Sequence, residues 1–84
     1  MAKPIEFSRE ALKALSRMDR ATARRIIAKI DQLATAPEEL ANNIKQLVGG
    51  EGLMRLRVGD WRVVYRDGQV LAIIRIASRG SVYE

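Results

Sequence analysis

Leu53-Met54-Arg55-Leu56-Arg57-Val58-Gly59-Asp60-Trp61-Arg62-Val63-Val64-Tyr65 is the stretch that sets the architecture. Its first six residues alternate. Met54, Leu56 and Val58 fall on one face and Arg55 and Arg57 on the other, the period of two of a half-buried strand. Gly59-Asp60 makes a turn, and residues 61–66 form a second strand on which Trp61, Val63 and Tyr65 share a face, so all three are expected in the core. Asp67-Gly68 carries the signal of a type I′ hairpin turn. Residues 70–76 are then more continuously apolar, as in a central strand covered on both faces.

Upstream the period changes. Ile5 and Phe7 alternate with Glu6 in a short strand. Ser8 is a good N-cap, with Glu10 in the first turn where the helix dipole favours an anion. Ala11, Leu12, Leu15 and Met18 recur at helical spacing, which predicts a helix over about residues 9–18. Asp19 can cap a second helix carrying Ala23, Ile26, Ile27, Ile30, Leu33 and Ala34 as one apolar stripe, so Ile27 is expected in the core. Pro37 ends it. The short link between the helices implies a helical hairpin. Residues 38–46 are polar, reading as a turn of helix and then an extended lead into the sheet. Gly49, Gly50 and Gly52 surround Glu51 in a loose connection; the Gly-Lys-Ser/Thr that a Walker loop requires is absent. The tail from Ala77 to Glu84 is expected to wrap over the sheet edge. The order is β-α-α-β-β-β: an α+β fold with a twisted antiparallel sheet and an N-terminal helical hairpin on one face, a single domain over residues 1–84.

Composition narrows the function. The 84 residues carry 15 Lys+Arg against 10 Asp+Glu, a formal charge of +5, with no cysteine and no histidine. Disulfides, thiolate catalysis, Cys-based zinc and imidazole acid–base chemistry are therefore excluded, and neither a metal nor a cofactor is expected. No apolar run approaches the roughly 18–20 residues of a membrane span, and the start lacks a signal-peptide core, so a cytoplasmic protein is expected. Eleven of the cations are arginine, whose planar fork suits phosphates and carboxylates.

Residues 53–83 hold six arginines against Asp60 and Asp67. Arg55 and Arg57 share a strand face, Arg62 follows the turn, Arg66 ends the next strand, Arg75 lies near the end of the last, and Arg79 precedes Tyr83 by four residues. With helices on the other face, these side chains can form a concave, phosphate-compatible surface. Spacing alone fits equally simple chemistry, the solvated outer face of a half-buried sheet. Arg17, Arg20, Arg24, Arg25 and Lys29 run along the helical pair, opposite the isoleucine stripe, as a solvated face or a guide to RNA.

The Leu53–Tyr65 pattern, followed by an apolar strand and Ser78-Arg79-Gly80-Ser81-Val82-Tyr83, resembles the RelE/ParE toxin superfamily of type II toxin–antitoxin pairs over nearly the whole chain. Arg57-Val58-Gly59-Asp60-Trp61-Arg62-Val63-Val64-Tyr65 is its most specific part, with Trp61 in an aromatic slot. The resemblance implies one of two activities. RelE-type members cleave mRNA in the ribosomal A site, the ribose 2′-hydroxyl attacking the adjacent phosphate. ParE-type members poison DNA gyrase. A catalytically silent, partner-binding member is a third possibility.

By motif, the cleavage residues fall on Arg55, Arg62, Arg79 and Tyr83, with Arg57, Arg66 and Arg75 as further RNA- or phosphate-binding cations. Leu53 occupies a slot that is basic in the nuclease pattern, and Ser78 stands where histidine is common. Arg62 and Arg79 would clamp the phosphoryl oxygens. Tyr83 would stack on a base or exchange a proton, for which a phenol ordinarily near pKa 10 must be made more acidic. Glu84 is an alternative base at the chain end. Arg57 and Arg66 also suit an antitoxin's carboxylates. The resemblance implies a cognate antitoxin as partner, the ribosome and mRNA (or gyrase) as target, operator DNA only through the antitoxin, and no membrane.

Overall fold

The computed structural model describes residues 2–47, 49 and 52–78. A short strand β1 (Ile5–Phe7) leads into helix α1 (Arg9–Arg17) and helix α2 (Arg20–Thr35). A 3₁₀ helix (Pro37–Asn43) and a second short strand, β2 (Ile44–Gln46), follow. Strands β3 (Leu53–Val58), β4 (Trp61–Asp67) and β5 (Leu71–Ser78) come next. The sheet runs β1-β5-β4-β3-β2. The expected α+β layers are present, but the sheet is mixed. β1 pairs with β5 in parallel, Ile5 opposite Leu71 and Phe7 opposite Ile73, while the other pairs are antiparallel. Parallel neighbours need a long crossover, and here nearly the entire chain between β1 and β5 supplies it.

Local chemistry places the helix starts where the sequence predicts. The Ser8 hydroxyl accepts from Ala11 N–H at 3.0 Å, and the Asp19 carboxylate accepts from Thr22 N–H at 3.0 Å and from the Thr22 hydroxyl at 2.7 Å. Those bonds, the hydroxyl's first, hold the Asp19 carboxyl below its usual value. Both helices cover one face of the sheet. Ala11 from α1 and Ile26, Ile30 and Leu33 from α2 form one core with Leu56, Val58, Val63, Tyr65, Leu71, Ile73 and Ile76. Trp61 packs against that core half-buried, so the expected inward face of β4 is present.

Three local expectations change. Ile27 is 39% exposed and Leu12 54%, outside the core. One helical layer on a small sheet buries a narrower arc than the apolar stripe spans, and α2 seats Ile26 and Ile30 instead. The turn after β4 is a three-residue loop, residues 68–70, and Gly68 lacks the positive φ that a type I′ turn demands. Lys3 holds that corner, its Nζ pairing with the Asp67 carboxylate and donating to the Gly68 carbonyl at 2.7 Å. Finally, Ala77 and Ser78 belong to β5 rather than to a wrapping tail; the rest of that tail, Arg79 to Glu84, lies outside the described residues, as do Gly50 and Glu51.

Candidate functional site

Register decides which arginines share a surface. On β3, Leu56 and Val58 are buried under the helices, so Arg55 and Arg57 project from the open face. Leu56 faces Val63 and Arg57 faces Arg62, which puts Arg62, Val64 and Arg66 on the open side of β4. Lys45 of β2 lies opposite Arg55 and joins them.

Arg75 reaches this face through an irregularity. Tyr65 pairs with Ile73 but Val64 pairs with Arg75, leaving Ile74 without a partner in the ladder. Strict alternation from Leu71 and Ile73 would aim Arg75 into the core; the extra residue turns it to the open side. The bulge is tied to the helical layer: the Ser8 hydroxyl donates to the Ile74 carbonyl at 2.6 Å, and Ser8 N–H donates to the Ile73 carbonyl at 2.9 Å. Val64, between Arg55 and Arg75 by register, is only 6% exposed although it lies on the open face.

A cleft of about 220 Å³ opens on this face, lined by Asn42, Asn43, Lys45, Arg55, Arg57 and Arg62. Among the described residues, four cations and two carboxamides line it and no carboxylate does, a setting that attracts a phosphodiester. Arg62 is held in place there, its Nη1 donating to the Gly59 and Trp61 carbonyls, each at 3.0 Å. Gly59 adopts φ +59° at the turn, which disfavours any side chain at 59, and the mobile end of Arg25 lies 3.2 Å from where a Cβ would stand. Burial first, and the Asp67 carboxylate second, push the Tyr65 phenol up to about 12. It stays neutral near pH 7 and is no base for this cleft.

The structure thus brings together Arg55, Arg57 and Arg62. Arg66 and Arg75 share their face outside the cleft lining, and Arg79 and Tyr83 lie outside the described residues. Sequence reasoning missed Asn42, Asn43 and Lys45. Ile44-Lys45-Gln46-Leu47 reads apolar, polar, polar, apolar, so no period of two marks the face of Lys45; its register opposite Arg55 does.

A basic cleft on the open side of a helix-backed mixed sheet defines the class: a small basic α+β protein. The sequence matches the family described as ParE toxin of type II toxin-antitoxin system, parDE, over residues 5–83, and the chain belongs to that family. Among solved structures, it resembles a chain of the archaeal RelE–RelB complex from Pyrococcus horikoshii OT3 with a TM-score of 0.79 and 27% identity, over 98% of this chain and 100% of that one. It also resembles a chain of the intact E. coli RelBE toxin–antitoxin complex (TM-score 0.75, 18% identity, 92% and 96% coverage). A chain of the RelB–RelE complex from Methanococcus jannaschii gives 0.73 and 23% identity, over 94% and 95%. A search of curated proteins found no match. The chain is a toxin of the RelE/ParE superfamily. No helix among the described residues is long and apolar enough to cross a membrane.

Proposed function

We propose that this toxin binds mRNA through the Lys45/Arg55/Arg57/Arg62 cleft and cleaves it on the ribosome. The observation that carries the reading is the cleft itself: cations from three strands facing one space of about 220 Å³. Attack of a ribose 2′-oxygen on the adjacent phosphorus forms a new P–O bond and breaks the bond to the 5′-oxygen, leaving a cyclic phosphate and a free hydroxyl. Negative charge accumulates on the phosphoryl oxygens in between, and guanidinium groups already in place stabilise it without reorganisation. Arg62, braced by two carbonyls, suits that role best. Arg55 and Arg57 add to the field and hold the backbone. Arg79 and Tyr83 enter from the family resemblance, Arg79 as a second clamp and Tyr83 as the group that stacks or exchanges the proton. An antitoxin that covers the cleft silences the toxin, and acidic side chains are its natural means.

Primer extension on mRNA from cells expressing the toxin alone tests this. Cuts in A-site codons are expected; intact mRNA with normal translation overturns it. A second reading, gyrase poisoning without RNA chemistry, draws on the ParE description of the matching family and on Leu53 and Ser78, which depart from the nuclease pattern. Supercoiling and DNA-cleavage assays with purified gyrase separate the two.

A further inference from the structure

The cleft does not end at the arginines. Its other wall is the end of the 3₁₀ helix and the start of β2, which bring Asn42, Asn43 and Lys45 to the same concavity. Lys45 is two strands from Arg62 and, by way of Arg55 and Arg57, two residues along the sheet. Strand spacing and rise put their Cα atoms roughly 12 Å apart. A phosphate held at the arginine end therefore leaves room for the neighbouring nucleotide at the β2 end. The volume, about 220 Å³, falls below the roughly 300–1,000 Å³ of pockets for drug-sized ligands and suits a single nucleotide unit.

The carboxamides add what arginine lacks, a donor and an acceptor side by side. Adenine presents the matching pair at N6 and N7, and bidentate pairing with asparagine is a recurrent contact. Single-stranded RNA splays its bases so that such edges can be reached. Among the described residues, no hydrogen bond or ion pair engages the side chains of Asn42, Asn43 or Lys45.

We infer that Asn42, Asn43 and Lys45 form a nucleotide-recognition subsite beside the arginines: Lys45 holds the flanking phosphate, and the carboxamides select adenine in single-stranded RNA. The subsite rests on the RNA-binding reading above and deepens it with a base preference. Fluorescence anisotropy with labelled hexaribonucleotides, oligo(U) with one central A, G or C, tests it across a salt series. Wild type is expected to favour the A-containing strand by roughly 5- to 150-fold. The double variant Asn42→Ala/Asn43→Ala loses that preference while still binding oligo(U). Lys45→Gln weakens all four strands alike and lowers the salt slope by about 0.7, and Lys45→Arg restores it. Circular dichroism melts check that each variant is folded. A wild type without base preference, a preference that survives in the double variant, or an unchanged slope in Lys45→Gln overturns the subsite. If wild type binds no strand at all, the RNA reading falls with it. If Arg55→Ala weakens binding while the Lys45 and asparagine variants do not, the subsite alone falls.

Discussion

Arg62 and Ser8 show how single side chains set this surface. Arg62 spends one nitrogen on the carbonyls of Gly59 and Trp61, so its guanidinium plane is fixed relative to the turn. Lysine offers the charge without the fork. Arg62→Ala is expected to lower the cleavage rate on programmed ribosomes by about 100- to 1,000-fold, the scale of losing one preorganised donor, and Arg62→Lys to recover little of it. Thermal stability should move by no more than about 0.5 kcal/mol, because the side chain lies outside the helix-side core. Ser8 is the opposite case. Its hydroxyl caps α1 and also satisfies the Ile74 carbonyl of the bulge, so Ser8→Ala removes both at once. A loss of about 1–2 kcal/mol in urea unfolding is expected. Tyr65 adds a pH dependence. Its pKa is raised in the fold to about 12, whereas the unfolded chain loses the proton near 10. The contribution is therefore whole below pH 10 and declines as pH rises toward about 12, by at most about 1.4 kcal/mol per pH unit. Tyr65→Phe should flatten that part of the stability curve, measured by denaturant melts in alkaline buffers.

Elements differ in how much of them can be read from residues alone. β3 and β4 alternate over six or seven positions, enough to fix both strands and the face that carries Arg55, Arg57 and Arg62. The caps at Ser8 and Asp19 likewise announce their helices through chemistry confined to one turn. β2 has three residues, too few for a period, so Lys45 and the neighbouring asparagines went unassigned to the cleft. The β5 bulge is also hidden: the hydroxyl that bonds its Ile74 carbonyl belongs to Ser8, 66 positions away in the chain. The parallel pairing of β1 depends on the same kind of distant contact. In α2 the stripe is legible but its buried arc is not, since that depends on how wide a surface the sheet presents. Two substitutions measure the difference. Ile30, fully buried, should cost about 2–5 kcal/mol on truncation to alanine, whereas Ile27→Ala, at 39% exposure, should cost less than about 1.5 kcal/mol. Equal losses in equilibrium unfolding would mean that Ile27 is packed against something in the folded chain.

At the scale of the whole molecule, the described arginines include those of the open sheet face and those of α1 and α2, where Arg17, Arg20 and Arg24 are exposed. A chain of net charge +5 attracts any polyanion, so attraction alone cannot distinguish a binding cleft from a charged exterior. Position can. The triple variants Arg55→Ala/Arg57→Ala/Arg62→Ala and Arg17→Ala/Arg20→Ala/Arg24→Ala each lose three positive charges and have the same net charge. If binding follows total charge, both weaken RNA binding equally. If the converging side chains of β3 and β4 form the site, the first variant loses about two units of the salt slope on single-stranded RNA and at least 100-fold in affinity. The second then stays within about threefold of wild type on free RNA, because its arginines lie on the side that the sheet separates from the cleft. Titrations of both variants against one labelled strand at matched salt decide between these outcomes. An equal loss in the two would remove the cleft from the account and leave only a basic protein that binds RNA through its net charge.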